Sequence, residues 1–435
     1  MLTLVAVRSA AAYAALALAA STVLAPCPTA AQSARADSPY DLARLRPGEP
    51  TWAPLMRLRA AAPRFAADTA SAARATWLQL LAQAEATFGN TQRALASWDR
   101  LGTPREADLA ATRQRFLAAR QVSAFDTVLA TADTARVIMV NERHHASADR
   151  VLTLRLLRAL RAKGFRYFAA EAFAPDTALP TRGYALDDDR YTSEPVFAEL
   201  VREARRLGYT LVPYEAAGRQ FDEPDSLSPQ QRRDYAQATN LAAATIARDP
   251  QAKVLVHAGF DHIRERATPQ WSPMAAYFTA RTGIDPVTID QTSGTERGTP
   301  AFAHPVHRAL AGALSSEGTV FVSDSTATPI GSAAMAVDLV VIRTAGALID
   351  GRPAYLTLGG TRRAVRVATP ACRRRHCVLT AHHAHEPDAA RVLDRVEVHR
   401  ADGATLFLPT TPVRLTVYTV DGRRLRQWTL GGRAR

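Results

Sequence analysis

A short apolar run in this chain ends abruptly in acid, base and ligand groups: Val137-Ile-Met-Val-Asn-Glu-Arg-His-His145. If the run is a strand, Glu142, His144 and His145 lie together at its carboxyl end. Similar endings recur downstream. Phe168-Ala-Ala-Glu-Ala172 delivers Glu171, and Leu211-Val-Pro-Tyr-Glu215 delivers Tyr214 and Glu215. Val254-Leu-Val-His-Ala-Gly-Phe-Asp-His262 delivers His257 and, past a glycine, His262, while Asp290 and Asp324 close two later runs. Each residue alone has an ordinary use, as a helix cap or as a hydrogen-bonded core histidine. Brought to one place, they do chemistry. Crowded carboxylates raise one pKa or recruit a cation, and either outcome helps to move protons or activate water.

Such convergence requires a parallel sheet, whose strand-to-helix loops diverge into a crevice at the carboxyl edge. The pattern supplies one. Residues 137–140 precede an amphipathic stretch, 149–163, with Leu152, Leu156, Leu157 and Leu160 on one stripe and Gly164 as its stop, and 165–170 form the next apolar run. This strand-helix-strand unit implies a right-handed crossover. Similar runs at 209–213, 253–257, 286–289, 319–323 and 338–342 extend a doubly wound, mainly parallel α/β domain over residues 126–345. Residues 32–125 are Ala-rich and helical in pattern, with a hairpin that resembles one tetratricopeptide-type unit: Trp77, Leu80, Leu81 and Ala84, a break at Gly89-Asn90, then Ala94, Leu95 and Trp98. One such unit cannot bury its own face and must pack on a neighbour. Residues 346–435 lose helical periodicity; runs at 355–358, 364–367, 378–380, 396–399, 406–408 and 413–418 alternate with turn signals, which predicts a small antiparallel β domain.

Composition narrows the function classes. The net charge of +13 is carried almost wholly by Arg, since Lys163 and Lys253 are the sole lysines. Without basic-aromatic interleaving this pattern does not predict a nucleic-acid partner. Arg8, the apolar segment behind it and Thr29-Ala-Ala31 predict an export signal over residues 1–31, hence a periplasmic or secreted protein with no transmembrane segment in the mature chain. A lipid anchor through Cys27 is disfavoured by Pro26. Cys372 and Cys377 suit a small disulfide loop in an oxidising compartment. Zinc is the rival, with His376, His382, His383 and His385 nearby.

Asn141-Glu-Arg-His-His145, Phe168-Ala-Ala-Glu171, Arg233-Asp-Tyr-Ala-Gln-Ala-Thr-Asn240 and Ala258-Gly-Phe-Asp-His262, in this order, resemble the erythromycin-esterase-like, ChaN-like haem-uptake and TraB/Tiki superfamily across about half the chain. Asn141 stands where the family more often has Gly. The resemblance implies either hydrolysis or capture. Esterase-like members open lactone rings, Tiki-like members are metal-dependent peptidases with two Glu and a Gly-x-x-His, and ChaN-like members bind haem or iron. Glu142, Glu171, Gly259 and His262 match the two glutamates and the Gly-x-x-His.

The leading expectation is a hydrolase of an ester, lactone or peptide bond in a small-molecule or peptide substrate. Glu142 acts as general base; His262 and either His144 or His145 bind a divalent metal or polarise the substrate, with Glu171 orienting them or joining as a ligand; Arg233 holds an anionic group, and Tyr214 and Glu215 face the substrate. The alternative is a protein that captures haem or metal at the same crevice, with the histidines and Tyr214 as ligands. A scaffold with a dead site is the third. Neither a Gly-x-Ser-x-Gly elbow nor a His-Glu-x-x-His helix occurs.

Overall fold

The computed structural model describes residues 38–431 except 68–70, 105, 176–177, 188–190, 223, 225, 296, 311 and 345. The expected export signal and Cys27 lie outside the described residues. Among the described residues, no helix is long and apolar enough to cross a membrane.

The N-terminal region contains α1 (Ala53–Ala60) and a hairpin of α2 (Ala72–Phe88) and α3 (Thr91–Asp99). The Ser71 hydroxyl accepts the Arg74 N–H and starts α2; Gly89, at φ 99, ends it in the left-handed region. A Cβ on Gly89 would lie 2.7 Å from the Arg395 carbonyl oxygen, so glycine is required there for space as well as for backbone angle. The hairpin does not close its own core. Trp77, Leu78, Leu81 and Phe88 pack with Leu55 and Leu58 of α1 and with Val378 from the far end of the chain.

The central domain begins with β1 (Arg120–Ser123) and β2 (Val137–Glu142), followed by α4 (Asp149–Ala162), β3 (Tyr167–Ala170), α5 (Pro195–Arg206) and β4 (Thr210–Pro213). Then come α6 (Pro229–Ala244), β5 (Val254–Gly259), α7 (Met274–Thr282), β6 (Val287–Asp290), β7 (Thr319–Val322) and β8 (Leu339–Val340). Six strands form a parallel sheet in the order β4-β3-β5-β2-β6-β8. Successive strand residues point to opposite faces. Ile138, Val140, Phe168 and Leu255 therefore join the α4 leucines on one side, while Met139, Ala169 and Val256 meet Leu241 of α6 and Phe278 of α7 on the other. Each fully buried leucine of α4 contributes about 1.5–3 kcal/mol. Helices on both faces make this the doubly wound α/β architecture that the sequence pattern predicts.

One expected strand lies elsewhere. Residues 319–323 are not part of the parallel sheet: β7 pairs antiparallel with β1, Arg120 opposite Val322 and Ser123 opposite Thr319, although residues 120–123 read as the end of a helical region. Both runs are four residues long, too short for periodicity to settle partner or direction. Asp324 is consequently exposed on a turn outside the crevice.

The C-terminal region is antiparallel. Its strands are β9 (Arg363–Ala368), β10 (His376–His383), β11 (Asp394–His399), β12 (Gly403–Leu408), β13 (Val413–Thr419) and β14 (Arg424–Leu430). They form a four-stranded sheet, β11-β10-β13-β14, and a β9-β12 pair. Residues 355–358, expected as a strand, instead overlap a short 3-10 turn, Ala354–Thr357. Cys372 and Cys377 are disulfide-bonded with their Cα atoms 5.8 Å apart.

Candidate active site

The central strands bring their carboxyl ends level: Glu142 of β2 lies opposite Gly259 of β5, and Ala170 of β3 opposite His257. Gly259 leaves the room at the centre. A Cβ on it would lie 2.5 Å from His144 Cε1 and 2.8 Å from Glu171 Oε2. The next residue, Phe260, takes a left-handed backbone (φ 45) rare for a bulky side chain, and the 3-10 turn Phe260–Ile263 carries His262 over the crevice. Asn141 ties this turn down. Its Nδ2 donates to the Phe260 carbonyl (2.8 Å) and to Asp290 Oδ1 (2.7 Å), while its Oδ1 accepts the Gln291 N–H (2.8 Å).

Glu142 is 1% exposed and both its oxygens are engaged. Oε1 contacts His144 Nδ1 (3.0 Å) and Arg150 Nη2 (3.3 Å); Oε2 contacts Arg150 Nε (2.7 Å) and His257 Nε2 (2.8 Å). Burial disfavours its charge, but Arg150 and His257 outweigh burial and hold the carboxyl well below the usual range. Arg150, fully buried, also donates to Glu194 Oε2 (2.8 Å) and to the His144 carbonyl (2.9 Å). The result is a fixed anion that sets imidazole tautomers. His144 Nδ1–H donates to it, so Nε2 carries the lone pair and faces Glu171, 3.9 Å from its Oε1.

The opposite wall is a second charged network. Glu171 accepts the Gly259 N–H (2.5 Å) and Arg233 Nη2 (2.5 Å). Burial raises its pKa, but Arg233 and His262 more than reverse this and bring it down to about 2. Arg233 is anchored further by both oxygens of Glu215 (3.0 and 2.5 Å), and its Nη1 lies 3.0 Å from His262 Nε2. The other His262 nitrogen meets Asp234 Oδ1 at 2.5 Å, and Asp234 is held in turn by the Met274 N–H (3.0 Å), Trp271 Nε1 (2.9 Å) and Gln230 Nε2 (2.8 Å). Burial opposes a charge on His262, yet Asp234 and Glu171 prevail and raise its pKa. An arginine can only donate, so its contact with Nε2 belongs to the neutral imidazole and must open when His262 gains a proton.

Glu142, His144, Glu171, Glu215, Arg233 and His262 therefore form one contiguous network at the carboxyl edge of the sheet. Two expected members stand outside it. His145 is fully buried, stacked on Trp98 of α3 with ring centroids 4.0 Å apart, and neither ring nitrogen has a hydrogen-bond partner. Tyr214 is 1% exposed and donates to the His257 carbonyl at 3.1 Å, so it buttresses β5 rather than facing a ligand. Arg233 is committed to two glutamates and a histidine, which replaces the expected role of anion holder. Sequence reading missed Arg150 and Asp234 as site residues. Their positions, one within the first turn of α4 and one beside Arg233, carried the only signal.

The sequence-expected metal ligands do not fit together. His145 faces Trp98, Glu171 faces Arg233 and the Gly259 N–H, and the Arg233 guanidinium holds the position a cation would take beside His262 Nε2. The same burial of His145 and Tyr214 removes two of the expected haem ligands. Among the described residues, the group of three whose ligand atoms all lie within 4.8 Å of one another is His376, Glu397 and His399, in the β region, and this group can hold a metal ion.

No protein-family model matches the chain, and no curated protein matches it. Among solved structures, a chain titled "Bacterial protein toxins" aligns with 14% identity and a TM-score of 0.30 over 54% of this chain and 53% of that one. RRSP, a MARTX toxin effector domain from Vibrio vulnificus CMCP6, aligns with 16% identity and a TM-score of 0.29 over 55% and 52%. Each match spans about half of both chains.

Proposed function

We propose that the chain is an exported hydrolase of ester, lactone or peptide bonds in which His144, rather than Glu142, takes the proton from water. One observation carries this reading: the oxygens of Glu142 are turned to Arg150, His257 and His144, which leaves His144 with its Nε2 lone pair on the side of Glu171. Glu142 orients, and His144 reacts. As water attacks the substrate carbonyl carbon, its proton passes to His144 Nε2. The imidazolium so formed lies between Glu142 and Glu171, both ionised. It then returns the proton to the leaving oxygen or nitrogen, so that the net reaction adds one water across the bond. On the opposite wall Arg233 stays tied to Glu171 and Glu215, so the oxyanion donor is His262, whose protonated Nε2–H parts from Arg233 and is free to donate; a single well-placed donor is worth about 10²–10³-fold in rate. The gathering of Glu142, Glu171, Gly259 and His262 around one crevice supports membership of the erythromycin-esterase-like, ChaN-like and TraB/Tiki superfamily as part of the same proposal.

The test is a panel of chromogenic esters, lactones and quenched peptides offered to the purified chain. Turnover of at least one class is expected, with loss of at least about 10²-fold in His144→Ala and an unchanged far-UV spectrum. Turnover that persists in His144→Ala overturns the assignment, as does inactivity toward every class.

A further inference from the structure

We infer that His376, Glu397 and His399 form a site for a borderline divalent transition metal, Zn²⁺ in the first instance, separate from the crevice. His376 and His399 are directly opposed across the β10-β11 ladder, and Glu397 lies two residues before His399 on the same face of β11. The three side chains therefore project from one side of the sheet. The two imidazoles stack with centroids 4.0 Å apart and planes 26° apart, and one nitrogen of each lies near the Glu397 carboxylate. His376 Nε2 lies 3.2 Å from Glu397 Oε1, and His399 Nε2 lies 3.6 Å from Oε2. Ligand atoms about 2.0–2.1 Å from a tetrahedral zinc are themselves about 3.3 Å apart. The observed separations bracket that value.

Two further observations point to a ligand rather than an ion pair. His376 Nε2 is buried and, although close to the carboxylate, makes no hydrogen bond to it. The charge of Glu397 is already met from another direction: Arg59 of α1 contacts Oε1 at 2.6 Å and Oε2 at 3.0 Å, and Asn90 Nδ2 donates to Oε2 at 3.0 Å. Two imidazoles are thus not needed as counter-ions. Oε2 is taken up by Arg59, Asn90 and Arg93 Nη1 (3.4 Å), whereas among the described residues Oε1 accepts only Arg59 Nη1 and keeps a lone pair for a metal beside His376. Two nitrogens and one carboxylate favour Zn²⁺, Cu²⁺ or Ni²⁺ over Mg²⁺ or Ca²⁺. The Cys372–Cys377 disulfide ends beside His376, which fixes the start of β10 and preorganises one ligand. Because Glu397 also holds Arg59, the ion would sit at the seam between the β region and the N-terminal helices.

Equilibrium dialysis of the full chain against Zn²⁺, after a chelator wash, tests the site. One equivalent is expected to bind saturably, to raise the thermal midpoint and to resist a large excess of Mg²⁺. His399→Ala, at a half-exposed position, is expected to weaken binding at least tenfold without loss of fold, and His376→Ala likewise. His144→Ala and the paired substitution His383→Ala with His385→Ala are expected to leave binding unchanged. Absence of saturable binding overturns the site; so does binding unchanged in His399→Ala, or binding lost in either control.

Discussion

A carboxylate abstracts a proton only through an oxygen turned toward the water, and in Glu142 both are turned toward the protein. Glu142→Gln keeps the shape but places an amide N–H against at least one donor, so His144 loses its tautomer lock. The expected outcome is a fall in kcat of about 10²–10⁴-fold with little change in KM, measured on whichever substrate class is turned over. The same substitution strips Arg150 of a buried counter-charge and is expected to destabilise the fold by about 3–5 kcal/mol, read from urea unfolding. The second wall has its own pH signature. Glu171 falls from 4.5 to about 2, so its contribution is present in full above about pH 4.5 and is lost as pH falls through about 2. His262 runs the other way: its pKa is raised above 6.5, so its contribution is complete below that value and lost as pH rises through the folded pKa. Unfolding midpoints across pH 2–8 are expected to show both limbs. Glu171→Gln should flatten the acid limb, and Asp234→Asn should lower the His262 pKa followed by NMR; an unmoved His262 titration in Asp234→Asn would sink this account.

Gly259 shows how a single position in a strand decides what the loops beyond it can do. With His144 Cε1 at 2.5 Å and Glu171 Oε2 at 2.8 Å from a would-be Cβ, Gly259→Ala must displace both walls of the crevice. Overpacking of this kind costs about 1–3 kcal/mol, and the loss of turnover is expected to exceed what that destabilisation explains, measured as kcat well below the unfolding midpoint. The placement of this glycine between apolar residues and His262 was legible in the sequence, as were β2 to β5, because buried parallel strands are continuous apolar runs and differ sharply from the helices between them. Arg150 and Asp234 were not legible. A charged residue in a helix normally faces solvent, and nothing in the local pattern distinguishes an arginine aimed inward at Glu142 from one on the surface. His145 misled for the opposite reason: it sits beside His144 in sequence, but consecutive residues leaving a strand point apart, and only the hairpin docking through Trp98 decides which imidazole is covered.

That docking makes the whole molecule a party to the site. Trp98 stacks on His145 at 4.0 Å and on Phe260 at 5.6 Å, so an α3 side chain braces both loops that carry His144 and His262. Around it, Asp99 accepts Arg297 Nε (2.8 Å) and the Thr299 N–H (2.7 Å), and Gly298 runs so close to α3 that a Cβ would lie 2.4 Å from the Ala96 nitrogen. The hairpin is held from the other side by the β region. Buried Arg395 donates to the Thr87 carbonyl and Thr51 Oγ1, both at 2.8 Å, and Trp52 Nε1 donates to the Val420 carbonyl at 2.7 Å. With cores shared in this way, the described regions are expected to unfold together, giving coincident transitions by tryptophan fluorescence and far-UV circular dichroism. Trp98→Ala removes a large, 9% exposed side chain and is expected to cost about 3–5 kcal/mol. Turnover is expected to fall in this variant under conditions where it remains folded, because both loops lose their support although no residue of the charged network has been changed. Unaltered turnover alongside reduced stability would confine Trp98 to packing and leave the positioning of His144 and His262 to Asn141 and the strand ends alone.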